Sequence, residues 1–183
     1  MPTSIKYILI ILITLFVLLI VSFVISVVVK NRLIKKMNKD IDEYLNKRKN
    51  ECNGDLIHIE KNAYEYEYKL TTEKRIYFIK IIPNFANQEI TINNSVKWQL
   101  RKTINDTTLK FVENVEPLMR MDVQSKIDDK ETVKLYIIYP NARTLLRYVN
   151  ECEMEFVSPK TDVYGTRVVT FANLLQNGDS ILK

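Results

Sequence analysis

The chain is poor in the residues from which most catalytic sites are built. Its 183 residues include three glycines, one histidine and two cysteines. Gly54, Gly165 and Gly178 each stand alone. A phosphate-cradling loop or a dinucleotide fingerprint needs clustered glycines so that backbone amides can approach the ligand, and neither can be assembled here. His58 sits in a Leu-Ile-His-Ile context and reads as a strand residue with a satisfied ring. With Cys52 and Cys152 it supplies too few of the usual ligands for a structural zinc, so no metal site is assigned. Nothing in the spacing supports a Ser-His-Asp or Cys-His arrangement. Internal repeats and low-complexity linkers are also missing.

Charge is absent from one long run. Tyr7–Val29 holds twenty-three residues with no charged side chain, and nineteen of them are Ile, Leu, Val or Phe. At about 1.5 Å per residue this helix would span roughly 34 Å, against a hydrocarbon core of about 30 Å. Each such side chain favours insertion by about 0.3–0.6 kcal/mol near the bilayer centre. Thr14, Ser22 and Ser26 can return their hydroxyls to a carbonyl one turn back. Two other readings compete: a buried helix of a soluble protein, and a cleaved signal peptide. A signal's apolar region runs about 7–15 residues to a small-residue cleavage site. This run is longer and ends Val27-Val28-Val29-Lys30. It reads as an uncleaved single-pass anchor behind a short tail at residues 1–6.

The net charge of +5 and the pI of about 9.1 are concentrated in one place. Residues 30–50 carry eight Lys and Arg against Asp40, Asp42 and Glu43, whereas residues 51–183 hold eighteen basic and nineteen acidic residues. A phosphate-binding surface needs its cations on the fold itself, so nucleic acid is disfavoured as a partner. Lys30, Arg32, Lys35, Lys36 and Lys39 instead form a collar at the end of the anchor, facing only Lys6 and the amino terminus across it. The side richer in Lys and Arg stays in the cytoplasm. The expected topology is therefore N-terminus outside and residues 30–183 in the cytosol, with the collar against anionic lipid headgroups at about 1 kcal/mol per cation. Cys52 and Cys152 fit a reducing compartment as free thiols. A bridge between them on an extracellular, signal-anchored domain would require the charge rule to fail.

Beyond the anchor the expected fold class is α+β: a basic amphipathic helix over residues 30–52, one α/β domain over 53–175, and a flexible tail at 176–183. Ile34, Met37, Ile41 and Tyr44 form a heptad stripe two repeats long, with Leu33 and Leu45 beside it. Such a stripe serves either a membrane-proximal homodimer or the sheet of its own chain. Asn53-Gly54-Asp55 breaks the helix. Strands are expected at Leu56–Glu60, Tyr64–Leu70, Arg75–Ile82 and Glu89–Asn93, the middle two forming a hairpin with one wet and one buried face. Trp98, Leu100 and Ile104 mark an apolar patch. Asp106 is expected to cap a helix on Leu109, Val112, Val115 and Met119, and Ser125–Glu131 to form a loop. Val133–Tyr139 is the most apolar strand and is placed centrally. Asn141 is expected to cap a second helix, on Leu145, Leu146 and Val149. Glu151–Val157 and Val163–Phe171 complete the strands of a largely antiparallel or mixed sheet.

One acid–lysine set could carry chemistry. Glu67-Tyr68-Lys69 reads Glu-x-Lys on an expected strand, with Asp55 twelve residues upstream and Glu43 or Glu51 on the preceding helix. Two carboxylates to hold Mg²⁺ and a lysine to orient water are what metal-dependent phosphodiester cleavage requires. The order of elements over roughly residues 40–140 resembles the PD-(D/E)XK restriction-endonuclease-like family. The resemblance implies a nuclease using Asp55, Glu67 and Lys69 with Mg²⁺. A second alignment sets Lys80 as the family's lysine and Trp98 after the next strand. It places Phe78 where the metal-binding acid belongs, which implies a fold without its metal. Arg143 and Arg147, near the start of the second expected helix, form a candidate anion site. Glu151, Glu153 and Glu155 share one face of a strand and could hold a cation, although a solvated face is the far commoner use of such a pattern. The composition as a whole favours a single-pass membrane protein whose cytosolic domain binds a protein partner or a second copy and is not a catalyst. No cofactor is assigned, Mg²⁺ entering only with the nuclease alternative.

Overall fold

The computed structural model describes residues 3–59, 66–94, 97–105, 108–115, 126–150 and 153–182. The chain divides into two compact units, Met1–Lys39 and Asp40–Lys183. In the first unit the described residues belong to α1 (Thr3–Glu51), of which Asp40–Glu51 count with the second unit. From Ile10 onward α1 includes a stretch of mean hydropathy 3.2 with none of it buried, long and apolar enough to cross a membrane. Side chains such as Phe16, Leu19 and Phe23 are two-thirds exposed. Thr14 Oγ1 donates to Ile10 O at 2.8 Å, so the hydroxyl needs no partner beyond its own helix.

In the second unit two sheets and two helical segments stack in layers. α1 closes at Glu51; the Cys52 N–H donates to Arg48 O, and Asn53 takes φ +46° to turn the chain. Three strands follow in an antiparallel run, β1 (Asp55–His58), β2 (Tyr68–Thr71) and β3 (Arg75–Pro83). β4 (Glu89–Ile92), β5 (Trp98–Asn105) and β6 (Thr108–Val115) form a second antiparallel run. β7 (Lys126–Ile127) and β8 (Lys130–Tyr139) make a tight hairpin. The chain ends with β9 (Leu145–Asn150), β10 (Glu153–Phe156), β11 (Arg167–Thr170) and α2 (Phe171–Ile181). The first sheet is ordered β1-β2-β3-β8-β11, with β7 on β8, and the second β10-β9-β4-β5-β6. β3 and β8 are parallel, as are β8 and β11, and β4 and β9.

β3 is buried on both faces, from Ile76 to Ile79 and again at Ile81 and Ile82, which corrects the wet face expected for that strand, whereas β2 alternates, with Tyr68 and Leu70 buried and Lys69 and Thr71 half-buried. Ile76, Phe78, Ile82, Tyr136 and Ile138 meet Ile90, Ile92, Trp98, Leu100 and Leu145 of the second sheet in one core. The opposite face carries Tyr77, Leu135, Ile137 and Tyr139 beneath α2 and the end of α1. Ile41 of the heptad stripe and Leu45 beside it are fully buried in this layer, and Tyr44 of the stripe packs edge-on against Phe171 at 5.7 Å. Within this unit the stripe is used by its own chain.

β3 and β8 leave the first sheet side by side and continue into the second as β4 and β9. Both turn at a Pro-Asn pair, Pro83-Asn84 and Pro140-Asn141, and Pro83 lies opposite Tyr139. Buried Asn84 joins the two corners. Its N–H donates to Tyr139 O at 2.6 Å, and its side-chain amide donates to Asn141 O and Gln88 O, both at 2.9 Å.

Four expected elements are corrected. Residues 108–115 form β6, not a helix. Leu100 pairs with Glu113 and Arg101 with Phe111, so Val112 is an extra residue in β6, a bulge. Met119 and the expected cap Asp106 lie outside the described residues. Leu145–Asn150 is likewise a strand, with β4 on one side and β10 on the other to satisfy its backbone. The expected loop at Ser125–Glu131 contains β7 and a two-residue turn. Asp128 and Asp129 both take positive φ, 50° and 59°, a conformation Asp accepts more readily than bulkier residues. The expected frayed tail is α2: Thr170 caps it by accepting from the Asn173 N–H, and Leu174, Ile181 and Leu182 are buried.

Candidate functional site

In the basic collar Lys30, Arg32, Lys35, Lys36 and Lys39 are all exposed. They follow directly on the unburied apolar run, the order of groups met on crossing from hydrocarbon to headgroups.

The acid–lysine set distributes over the edge of the first sheet. Asp55 opens β1, exposed, and lies opposite Thr71. Lys69, half-buried in β2, lies opposite Ile57 on one side and Phe78 on the other. Asp55 and Lys69 thus occupy diagonal positions of one strand pair. Glu67 precedes β2 at a bend, where its N–H donates to Ile79 O and its carbonyl accepts from the Ile59 N–H, both at 2.8 Å. Four residues of chain separate it from Thr71, about 13 Å of extended strand. The structure instead brings Glu67 towards Lys80. Burial pulls the Lys80 ammonium below its ordinary value, and the charge of Glu67 opposes that shift. Phe78 is core, edge-on to Tyr66 at 4.6 Å, and Trp98 packs against Tyr136 at 5.1 Å. Among the described residues no three His, Cys, Asp or Glu side chains gather closely enough to hold a metal ion. His58 is exposed and stacks on the Tyr68 ring at 4.6 Å.

Arg143 and Arg147 stand at a strand, so no helix amides accompany them. The Arg147 guanidinium pairs with the Glu155 carboxylate across the β9–β10 ladder and donates through Nη1 to Asp162 O at 2.6 Å. The exposed Arg143 is held through its backbone, its N–H donating to Gln88 O. The Glu153 and Glu155 face is likewise occupied, Glu153 accepting from Asn150 Nδ2 at 3.2 Å. Cys52 is a free thiol, half-buried, near Leu182 O at 3.9 Å; Cys152 lies outside the described residues.

Sequence reasoning missed a polar cleft of about 530 Å³ where α1 gives way to β1. Asn53, Gly54, Asp55, Thr72, Glu73 and Lys130 line it. Lys130 reaches in from the β7–β8 hairpin and donates to Thr72 O at 2.7 Å. A Cβ on Gly54 would lie 2.3 Å from Thr71 O, so only glycine lets the chain pass here. The isolated glycine after the helix was the one visible signal; the lysine, fifty-eight positions from Thr72, had none.

Comparison with protein-family models, with curated proteins and with solved structures gives no match for this chain.

Proposed function

We propose that the protein is a single-pass membrane protein whose α+β unit faces the cytosol as a binding or assembly module and not as a catalyst. One observation carries the reading: an apolar helical run with no burial, followed at once by five exposed cations. Hydrocarbon is the medium that such a run favours, and the cations favour the cytoplasmic side and its anionic lipid. The folded unit has a near-neutral balance, lacks a glycine-rich loop, and uses its sole histidine in a stack on tyrosine. These features suit a surface that recognises another macromolecule.

The test is carried out in cells expressing the full chain with a C-terminal epitope. The chain should stay in the membrane pellet after alkaline carbonate extraction. Externally added protease should spare the epitope until the cells are broken. Recovery of the chain in the soluble fraction, or loss of the epitope from intact cells, rejects the reading.

A further inference from the structure

β10 ends the second sheet, and among the described residues no strand pairs with its outer edge. The Val157 N–H, just beyond β10, donates inward to Leu145 O at 2.9 Å. By the alternation of an antiparallel ladder Glu155 also faces inward, and the N–H groups of Met154 and Phe156 point out from the sheet. The same two residues carry large exposed side chains: Phe156 is 75% exposed and Met154 45%. Natural edge strands are normally guarded by lysine, proline or a bulge that turns the edge away. β10 is short and its register against β9 shifts between Glu153 and Met154; past that shift, its outward donors stand beside an uncovered aromatic.

We propose that the outer edge of β10 takes up an extended segment of a partner protein as an added strand, apolar where it meets Met154 and Phe156 and basic where it meets Glu153. The argument for the occupant is charge. A second copy pairing β10 with β10 about a two-fold axis normal to the sheet sets residues of equal parity opposite one another. Each register that overlaps most of the strand then gathers four glutamates, Glu153 and Glu155 of each copy, against only the two Arg147 side chains, an acidic excess that is destabilising. Arg147 already neutralises Glu155 on its own sheet, so Glu153 is the acid left for the incoming strand, beyond its contact with Asn150. An alternating basic and apolar segment satisfies the outward donors, covers the phenyl ring and faces Glu153 with a cation. The inference rests on the reading of the folded unit as a binding module and names the chemistry of what it binds.

The test uses the full chain in nanodiscs of zwitterionic lipid, titrated against two fluorescein-labelled peptides of about eight residues, one alternating lysine with valine and one glutamate with valine. The lysine peptide should bind, and the glutamate peptide should bind at least about tenfold more weakly. Met154→Pro removes an outward donor without touching the β9 ladder and should weaken the lysine peptide by at least about tenfold at unchanged melting temperature. Glu153→Lys, a surface change, should reverse the preference and stands as the check if the proline variant does not fold. The proposal is overturned if the lysine peptide does not bind, if both peptides bind alike, or if Glu153→Lys leaves their order unchanged. Flotation of the same preparation with lipid reads the anchor separately. Failed peptide binding with intact flotation counts against the edge alone, and failed flotation counts against the membrane reading.

Discussion

The Tyr139 hydroxyl, at the end of the central strand, donates to Asp40 Oδ2 at 2.5 Å, fixing the last turns of α1 over the first sheet. Tyr68 does the same to Asp42 at 2.8 Å, and the Tyr44 hydroxyl donates to Leu174 O at 3.1 Å. Burial pushes the Tyr139 and Tyr44 phenols up to about 12; Asp40 adds to the shift of Tyr139, and Arg48 partly opposes that of Tyr44. Burial and the Asp42 contact raise Tyr68 as well.

A raised folded-state value means that the neutral phenol is favoured in the fold. Its contribution is complete below the ordinary tyrosine value of about 10 and is lost as pH climbs through the folded value. Stability should therefore fall between about pH 10 and 12, with phenolate absorbance at 295 nm rising together with loss of near-ultraviolet circular dichroism. Tyr139→Phe should cost about 1–3 kcal/mol at neutral pH, because it leaves Asp40 without this donor, and should flatten part of the alkaline limb.

Gly54 and Gly178 both exclude a methyl group, for different reasons. On Gly178 a Cβ would meet Tyr44 Oη at 2.1 Å, whereas on Gly54 it meets the backbone oxygen of Thr71. A hydroxyl can be removed and a carbonyl cannot. Gly178→Ala should be destabilising and be partly rescued by Tyr44→Phe in a double-mutant cycle. Gly54→Ala should be the more costly of the two and resist rescue, both read from urea midpoints.

The α2 helix ends in the core. Ile181 is 1% exposed, and its carbonyl accepts from the Tyr77 hydroxyl at 3.4 Å. Ile181→Ala should cost about 2–5 kcal/mol, and deletion of residues 176–183 should leave a chain that limited proteolysis degrades. A tail without structural weight would tolerate both.

Replacing Lys30, Arg32, Lys35, Lys36 and Lys39 by glutamine should weaken association with anionic vesicles by about 1 kcal/mol per cation, roughly fivefold each, and raise the share of inverted topology in cells. Epitope protection and vesicle flotation measure the two effects independently.

Incubated with supercoiled plasmid and Mg²⁺, the purified chain should leave the DNA uncut. Cleavage abolished by Glu67→Ala, Lys69→Ala or Lys80→Ala would restore the nuclease alternative and identify which lysine serves it.

The sequence was most informative where one physical signal dominated. The charge-free run, the helix break at Asn53-Gly54 and the apolar strand ending at Tyr139 are each set by local chemistry, and each stands in the structure. It failed where spacing was altered by pairing. The three-residue spacing of Leu109, Val112 and Val115 imitated a helix in what is a bulged strand, and the Asn141 corner looked like a helix cap because the same residue type serves both. Pro83-Asn84 had already led from one strand into another, yet only the parallel register of β3 and β8 shows that the two corners are equivalent. The division into two sheets was hidden for the same reason, since β4 and β9 are set apart from β3 and β8 by short turns no different from hairpin loops. Of the candidate groups, Glu67 and Lys80 belonged to rival alignments and become neighbours only through the β2–β3 pairing.

The Asn84 junction has a thermodynamic corollary. Two adjacent strands cross from one sheet to the other at a shared, buried amide, so neither layer can melt while its neighbour keeps its register. Trp98, which emits from the second layer, and the tyrosines of the first should therefore lose their native signals at a single denaturant concentration.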